Sequence, residues 1–225
     1  MRVSIHQPQY FPWFPYIHKI ISSDIFIFLD TVDFQKNGLQ NRNKILTTNG
    51  PAWLTVPVKQ KLGQKIIDTK TNDGSGWKNK HVKTLTMNYG KLEYFKNNQN
   101  TLFEVYEEAG DSLSDLNILL TNKLLHLMNI STPTFRSSDM SSTGASTQLL
   151  LNLCIEMGAT TYISGIGGKN YLDTELFTSA GITVEFLPPT LPRPYSHACM
   201  KFGSHTDLSV IDLLFNCGDS WRQYI

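Results

Sequence analysis

A chain of 225 residues can bury one sizeable core and is short for two independent domains. A net charge of +1, with charged residues at 17%, excludes the clustered basic excess that a polyanion partner requires; the densest basic stretch, Lys59, Lys61 and Lys65, reads as a solvated loop. No apolar stretch approaches the ~20 residues of a membrane span, and the first residues lead into polar and proline positions instead of the apolar run of a secretory leader. Three widely spaced cysteines, Cys154, Cys199 and Cys217, form neither a disulfide framework nor a metal set. The expectation is a protein of the reducing cytoplasm with no nucleic-acid partner, no membrane span and no bound metal.

Residues 3–5 predict a short strand, broken by Gln7-Pro8-Gln9, and residues 13–21 a helix that admits Pro15 in its first turn. The apolar run 25–29 has the look of a central parallel strand buried on both faces. Strand, helix and strand within thirty residues make a βαβ unit. Asn49-Gly50 joins residues 43–48 and 52–58 as a hairpin. Helices follow over 77–89, 94–109 and 112–128, the last with Leu113, Leu116, Leu120, Leu124 and Leu127 on one face. Residues 147–157 form a helix closed by Gly158, 161–164 a strand entering Gly165-Ile166-Gly167-Gly168, 172–180 a helix, 182–187 a strand and 208–216 a terminal helix. The fold class is therefore α/β, a Rossmann-like parallel sheet flanked by helices. One domain spans residues 1–225, with a hairpin and helical insertion over roughly 43–130.

Candidate site residues sit where open α/β sheets place ligands, at strand carboxyl ends. His6 and Gln7 close the first strand, and Tyr10, Trp13 and His18 follow in a loop whose aromatics could stack on a base or sugar. Asp30 and Asp33 come directly after a buried strand, with Lys36, Arg42 and Asn43 close in sequence. A desolvated carboxylate beside a cation is a candidate general base. Lys80 and His81 open a helix, the one a phosphate contact, the other a proton carrier at neutral pH. Ser164, Gly165 and Tyr171 belong to a strand–turn–helix segment whose backbone N–H groups can cradle phosphate, although it matches neither the dinucleotide fingerprint nor a P-loop. Prolines shape the loop that presents His197. Catalytic roles fall to Asp30, His81, Asp33 and His6, and substrate binding to the rest.

Taken in order, these segments resemble the WbqC-like proteins: His6 to Trp13, Ser23 to Asp30, Asn41-Arg42-Asn43, Trp53 to Val58, Trp77 to His81, Tyr162 to Gly165 with Tyr171-Leu172, and Leu208 to Asn216. Pro15 stands where that family usually has glycine, and Leu39 where it usually has tryptophan. The resemblance implies bacterial O-antigen or surface-polysaccharide assembly. Within it, the expected activity is modification of a nucleotide-linked amino sugar by acyl or aminoacyl transfer to its amine. The expected partner is that nucleotide-linked sugar, and the one co-reactant an acyl or aminoacyl donor. Two alternatives stand beside it. Pro12-Trp13-Phe14-Pro15-Tyr16 resembles the Pro-His-x-Gly-His turn of adenylyl transferases and ligases without its histidines, and a non-catalytic sugar-nucleotide binding protein would share the same fold.

Overall fold

Helix and strand alternate along the chain because apolar runs of strand length alternate with periodic ones. The computed structural model describes residues 1–197, 205 and 207–225; Cys199 lies outside the described residues. The elements are β1 (Arg2–His6), α1 (Phe14–Ile21), β2 (Ile25–Phe28), β3 (Arg42–Thr47), β4 (Gly50–Thr55), β5 (Val58–Lys59), β6 (Lys70–Thr71) and α2 (Trp77–Tyr89). They continue as α3 (Glu93–Phe103), α4 (Val105–Glu108), α5 (Leu113–Leu127), β7 (Thr134–Arg136), α6 (Ser146–Glu156), β8 (Thr161–Gly165), α7 (Thr174–Ser179), β9 (Thr183–Leu187) and α8 (Val210–Cys217). Two compact units result, the first built from residues 1–7, 15–32 and 131–190, the second from 8–14, 33–130 and 191–225.

The first unit is the expected α/β sheet. Five parallel strands lie in the order β7-β2-β1-β8-β9. Period-2 alternation sends Val3, Ile5, Ile27 and Tyr162 to one face, where they join Leu149, Leu150, Leu153 and Cys154 of α6, Phe177 of α7 and Ile182 in one apolar cluster. Tyr162 and Phe177 stack with centroids 5.0 Å apart. Ser4, His6, Phe26 and Phe28 point to the other face, where Tyr16 of α1 meets Phe26 edge-on at 5.3 Å. A sheet covered on both faces explains why β2 reads as an unbroken apolar run. Pro15 is tolerated in α1 because the first-turn N–H it lacks would have no intrahelical partner.

β7, like the two-residue β6, is a strand that sequence reasoning missed. It has three residues, half-buried to exposed, and pairs in parallel with β2 through Phe26↔Thr134 to Phe28↔Arg136.

The second unit holds the hairpin and the helices. β3 and β4 pair from Arg42↔Thr55 to Thr47↔Gly50, so the turn residues are Thr48 and Asn49, one position earlier than expected. Gly50 takes φ 100°, a conformation that suits glycine. A second, short ladder joins β5 and β6. Ser112 caps α5 by accepting from the Asp115 N–H. Phe215 meets Tyr89 and Phe95 edge-to-face at 5.2 and 5.0 Å, and Tyr89 lies tilted against Phe95 at 6.3 Å, joining α2, α3 and α8. The helix expected over 94–109 is two, although Glu104 between them keeps helical dihedrals (φ −53°, ψ −32°). Among the described residues no helix is long and apolar enough to cross a membrane.

Candidate functional site

In the first unit the sheet changes direction at β1. The chain runs from β1 through β2 to β7 on one side, and the later strands β8 and β9 lie on the other. Such a switch point is where open parallel sheets part and ligands enter. Here β1 stays paired with β2 through His6↔Phe28, and β8 with β9 through Gly165↔Leu187, but β1 and β8 pair only as far as Ser4↔Ile163. Continued past Ser4, that register would set Ile5 opposite Ser164 and His6 opposite Gly165, but no ladder pairing joins them.

The gap has a polar floor. In a parallel ladder alternate carbonyls face the same neighbour. Since the His6 carbonyl accepts from the Leu29 N–H, the Ile5 carbonyl points toward β8. There it accepts instead from Lys19 Nζ at 2.7 Å. Lys19 is 5% exposed, and burial lowers its pKa to about 7. His6 Nδ1 lies 3.1 Å from the Gln7 carbonyl, which can only accept, so Nδ1 carries the hydrogen and Nε2 holds its lone pair. Burial, and then the nearby Lys19 charge, press the His6 pKa down to about 3. The Tyr16 ring stands edge-on to His6 at 5.0 Å, and its buried hydroxyl has no hydrogen-bond partner among the described residues.

On the β8 side, Ser164 is buried, and a side chain at Gly168 would collide with its Oγ, so the short turn after β8 closes on that serine only because Gly168 is a glycine. Side chains at Gly165 and Gly167 would meet nothing within 4 Å. The turn is thus tight underneath and open above, the shape that lets a ligand approach backbone. A separate open groove of about 500 Å³ between α7 and β9, lined by Thr174, Thr178, Thr183 and Phe186, carries no titratable side chain and is not where chemistry would be done.

In the second unit His81 is buried and engaged at both ring nitrogens. Nε2 lies 3.1 Å from the Thr55 carbonyl, so it carries the hydrogen; Nδ1 then accepts from the Tyr10 hydroxyl at 2.8 Å. Tyr10 in turn accepts from Tyr106 at 2.8 Å. Burial lowers the His81 pKa to about 4. A second buried network centres on Asp212, 1% exposed, which accepts from Tyr89, Tyr195 and His197 Nδ1 at 2.7, 2.9 and 2.7 Å. His197 Nε2 is buried without a partner among the described residues.

A family model described as the WbqC-like protein family matches residues 7–224. The chain belongs to the WbqC-like protein family. Uncharacterized protein Rv1507c of Mycobacterium tuberculosis (strain ATCC 25618 / H37Rv) is 34% identical to it over 227 residues, covering 100% of this chain and 97% of the relative. No solved structure matches the chain.

The structure sorts the candidate residues of this WbqC-like protein by unit. In the first, His6 ends β1 with Gln7 next on one edge of the strand parting, and Ser164 and Gly165 end β8 on the other, the His6 and Ser164 side chains lying on opposite faces of the sheet, with Asp30 after β2 and the exposed Tyr171 after the glycine turn. His18 is half-buried on α1, and burial lowers its pKa. In the second, Tyr10 and His81 touch, while Asn43 donates to the Phe11 carbonyl at 2.8 Å, holding a residue at φ 41°. Arg42 donates to the Asn37 carbonyl and lies 4.4 Å from the Trp53 ring. The Trp13 backbone bridges to Ser209. Asp33, Lys36 and Lys80 are exposed and join neither cluster. Among the described residues no group of three His, Cys, Asp or Glu side chains is placed to hold a metal ion.

Lys19 and Asp212 were not anticipated. Both carried a signal. Phe14-Pro15-Tyr16-Ile17-His18-Lys19-Ile20-Ile21 has almost no polar face, and Val210-Ile211-Asp212-Leu213-Leu214-Phe215 surrounds one carboxylate with apolar residues. A charge inside an all-round apolar helix has to be buried.

Asp30 has a clear mechanical task. Oδ1 accepts from Ser137 Oγ at 2.9 Å and the Ser138 N–H at 3.1 Å, and Oδ2 from Ser138 Oγ at 2.9 Å, tying the end of β2 to the end of β7. Asp30→Asn is expected to cost about 1–2 kcal/mol in urea unfolding, because one amide nitrogen replaces an acceptor. A proton-abstracting Asp30 would instead give lost turnover at unchanged stability.

Proposed function

We propose that this WbqC-like protein is an enzyme that modifies a nucleotide-linked amino sugar by acyl or aminoacyl transfer to the sugar amine. The observation that carries the reading is the parting of β1 from β8 at the switch point, with His6 and Gln7 at the end of one strand, Ser164 at the end of the other and an open glycine turn after it. The nucleotide-linked sugar sits in this parting, its phosphates toward the backbone amides of residues 165–168. The ammonium first gives a proton to His6 Nε2; an anionic phosphate beside His6 raises that pKa toward the working range. The amine lone pair then forms the C–N bond to the donor's acyl carbon as the bond to the donor's leaving group breaks, and the nitrogen's second proton passes to that departing group. Surface-polysaccharide assembly, the setting that family resemblance implies, is where such products are used.

One observation favours a second reading, a sugar-nucleotide binding protein without turnover. Asp30 and His81, two of the four candidate catalytic groups, already spend their polar atoms on the fold.

The test is a thermal-shift screen against nucleotide-linked amino sugars, unmodified nucleotide-sugars, ATP and acyl-CoA thioesters, followed by a product assay. At ~100 times its dissociation constant a ligand adds about 2.7 kcal/mol, a rise of roughly 5–10 °C for a chain this size. Stabilisation by an amino-sugar nucleotide with product formation is expected. The same shift without product selects the binding reading. Stabilisation by ATP alone would point to adenylyl transfer and sink the proposal.

A further inference from the structure

A lysine side chain is almost never buried without a carboxylate, because an ammonium out of water needs a counter-charge. Lys19 breaks that rule. It is 5% exposed, and its one hydrogen bond among the described residues is to the Ile5 carbonyl. An ammonium has three donors, so two are left over. Among the described residues the titratable groups that act on it are His6 on β1 and the Cys154 thiol on α6, and no carboxylate pairs with it. Three residues earlier on the same helix face, the Tyr16 hydroxyl is another buried donor with no acceptor among the described residues. Both belong to the α1 surface beneath the carboxyl end of β1, and Lys19 Nζ occupies the place where β8 would have paired with Ile5. Surplus buried donors and an amine without a counter-charge, where the β1–β8 ladder ends, describe a site completed by an anion.

We propose that Lys19 is the cation of an anion-binding site at the parting of β1 and β8, and that a phosphate of the bound ligand supplies the missing counter-charge, with Tyr16 as a second donor. The inference rests on the reading of this parting as a nucleotide-sugar site and names the group that holds its phosphate. It has a thermodynamic signature. Burial holds the free Lys19 amine near neutrality, so at pH 8 it is mostly uncharged, and an arriving phosphate draws a proton from solution onto it.

The experiment is calorimetric titration at pH 8 in two buffers of different ionisation enthalpy, with UDP, uridine and pyrophosphate as probes, on wild type, Lys19→Met and Lys19→Arg. Wild type should take up about one proton with UDP and none with uridine. Lys19→Met should take up none and bind UDP about 10- to 100-fold more weakly, the loss of one charge-assisted hydrogen bond, with uridine unchanged. Lys19→Arg, always charged, should keep UDP affinity without proton uptake. UDP binding with no uptake by wild type, or uptake undiminished in Lys19→Met, would overturn the assignment while leaving the nucleotide reading intact. If Lys19→Met does not fold, the wild-type proton count still decides. Pyrophosphate binding with proton uptake, but no gain from the nucleoside, would keep the anion site and sink the nucleotide reading. No binding by UDP or pyrophosphate would sink both.

Discussion

Asp212→Ala is expected to destabilise the second unit by about 3–5 kcal/mol, the largest loss from any single substitution considered for this protein. The carboxylate is 1% exposed and receives Tyr89 on Oδ1 and both Tyr195 and His197 on Oδ2. Removing it leaves two hydroxyls and a ring N–H buried without acceptors, each a full desolvation cost, and opens a gap between α2 and α8 where Tyr89 packs on Phe215. Asp207 provides the contrast. Its ion pair with Lys44 at 2.8 Å is about half exposed, so Asp207→Ala should cost under about 1 kcal/mol. Urea unfolding of the two variants, followed by tryptophan fluorescence, gives the comparison. Equal midpoints would mean that Asp212 does not anchor α8.

Raising the pH from 7 to 9 is expected to stabilise the protein through Lys19, by about 2 kcal/mol. The sign follows from where the proton sits. In the unfolded chain the amine titrates near 10.5, and in the folded one near 7. Between those values the unfolded state holds a proton that the native state has released, so stability rises with pH through this window. Below pH 7 the native state carries the buried charge and its whole penalty, about 5 kcal/mol for a shift of this size. The window closes near pH 9, because burial raises the Cys154 thiol to about 12 and above its unfolded pKa that group acts in the opposite sense. Lys19→Met should flatten the rise. Denaturation midpoints of both proteins at pH 7 and 9 check it, and an equal slope in the two would assign the effect to other groups.

The order and type of most elements were legible in the sequence because they rest on local rules. The apolar run at β2, Pro15 in a first turn, Ser112 capping α5, and glycines with positive φ just after α6 and α7 (Gly158 66°, Gly181 75°) each act within one helical turn or strand. The α/β class follows from their alternation, and the motifs in order gave the family. The roles of side chains were not legible, because partners far apart in sequence decide them. Asp30 reads as a candidate base in sequence, and only the fold shows that Ser137, 107 residues on, donates to it. His81 looked like a proton carrier until Tyr10, 71 residues earlier, took its second nitrogen. β7 became a strand only by pairing with β2, since three half-exposed residues have no periodicity to read. Lys19 owes its position to the parting of β1 from β8, a matter of sheet register that no window of sequence contains. Hydrophobic periodicity and backbone conformation are local and survive in sequence. Hydrogen-bond saturation and desolvation depend on what the folded chain places within 3 Å of an atom, and that is decided only by tertiary structure.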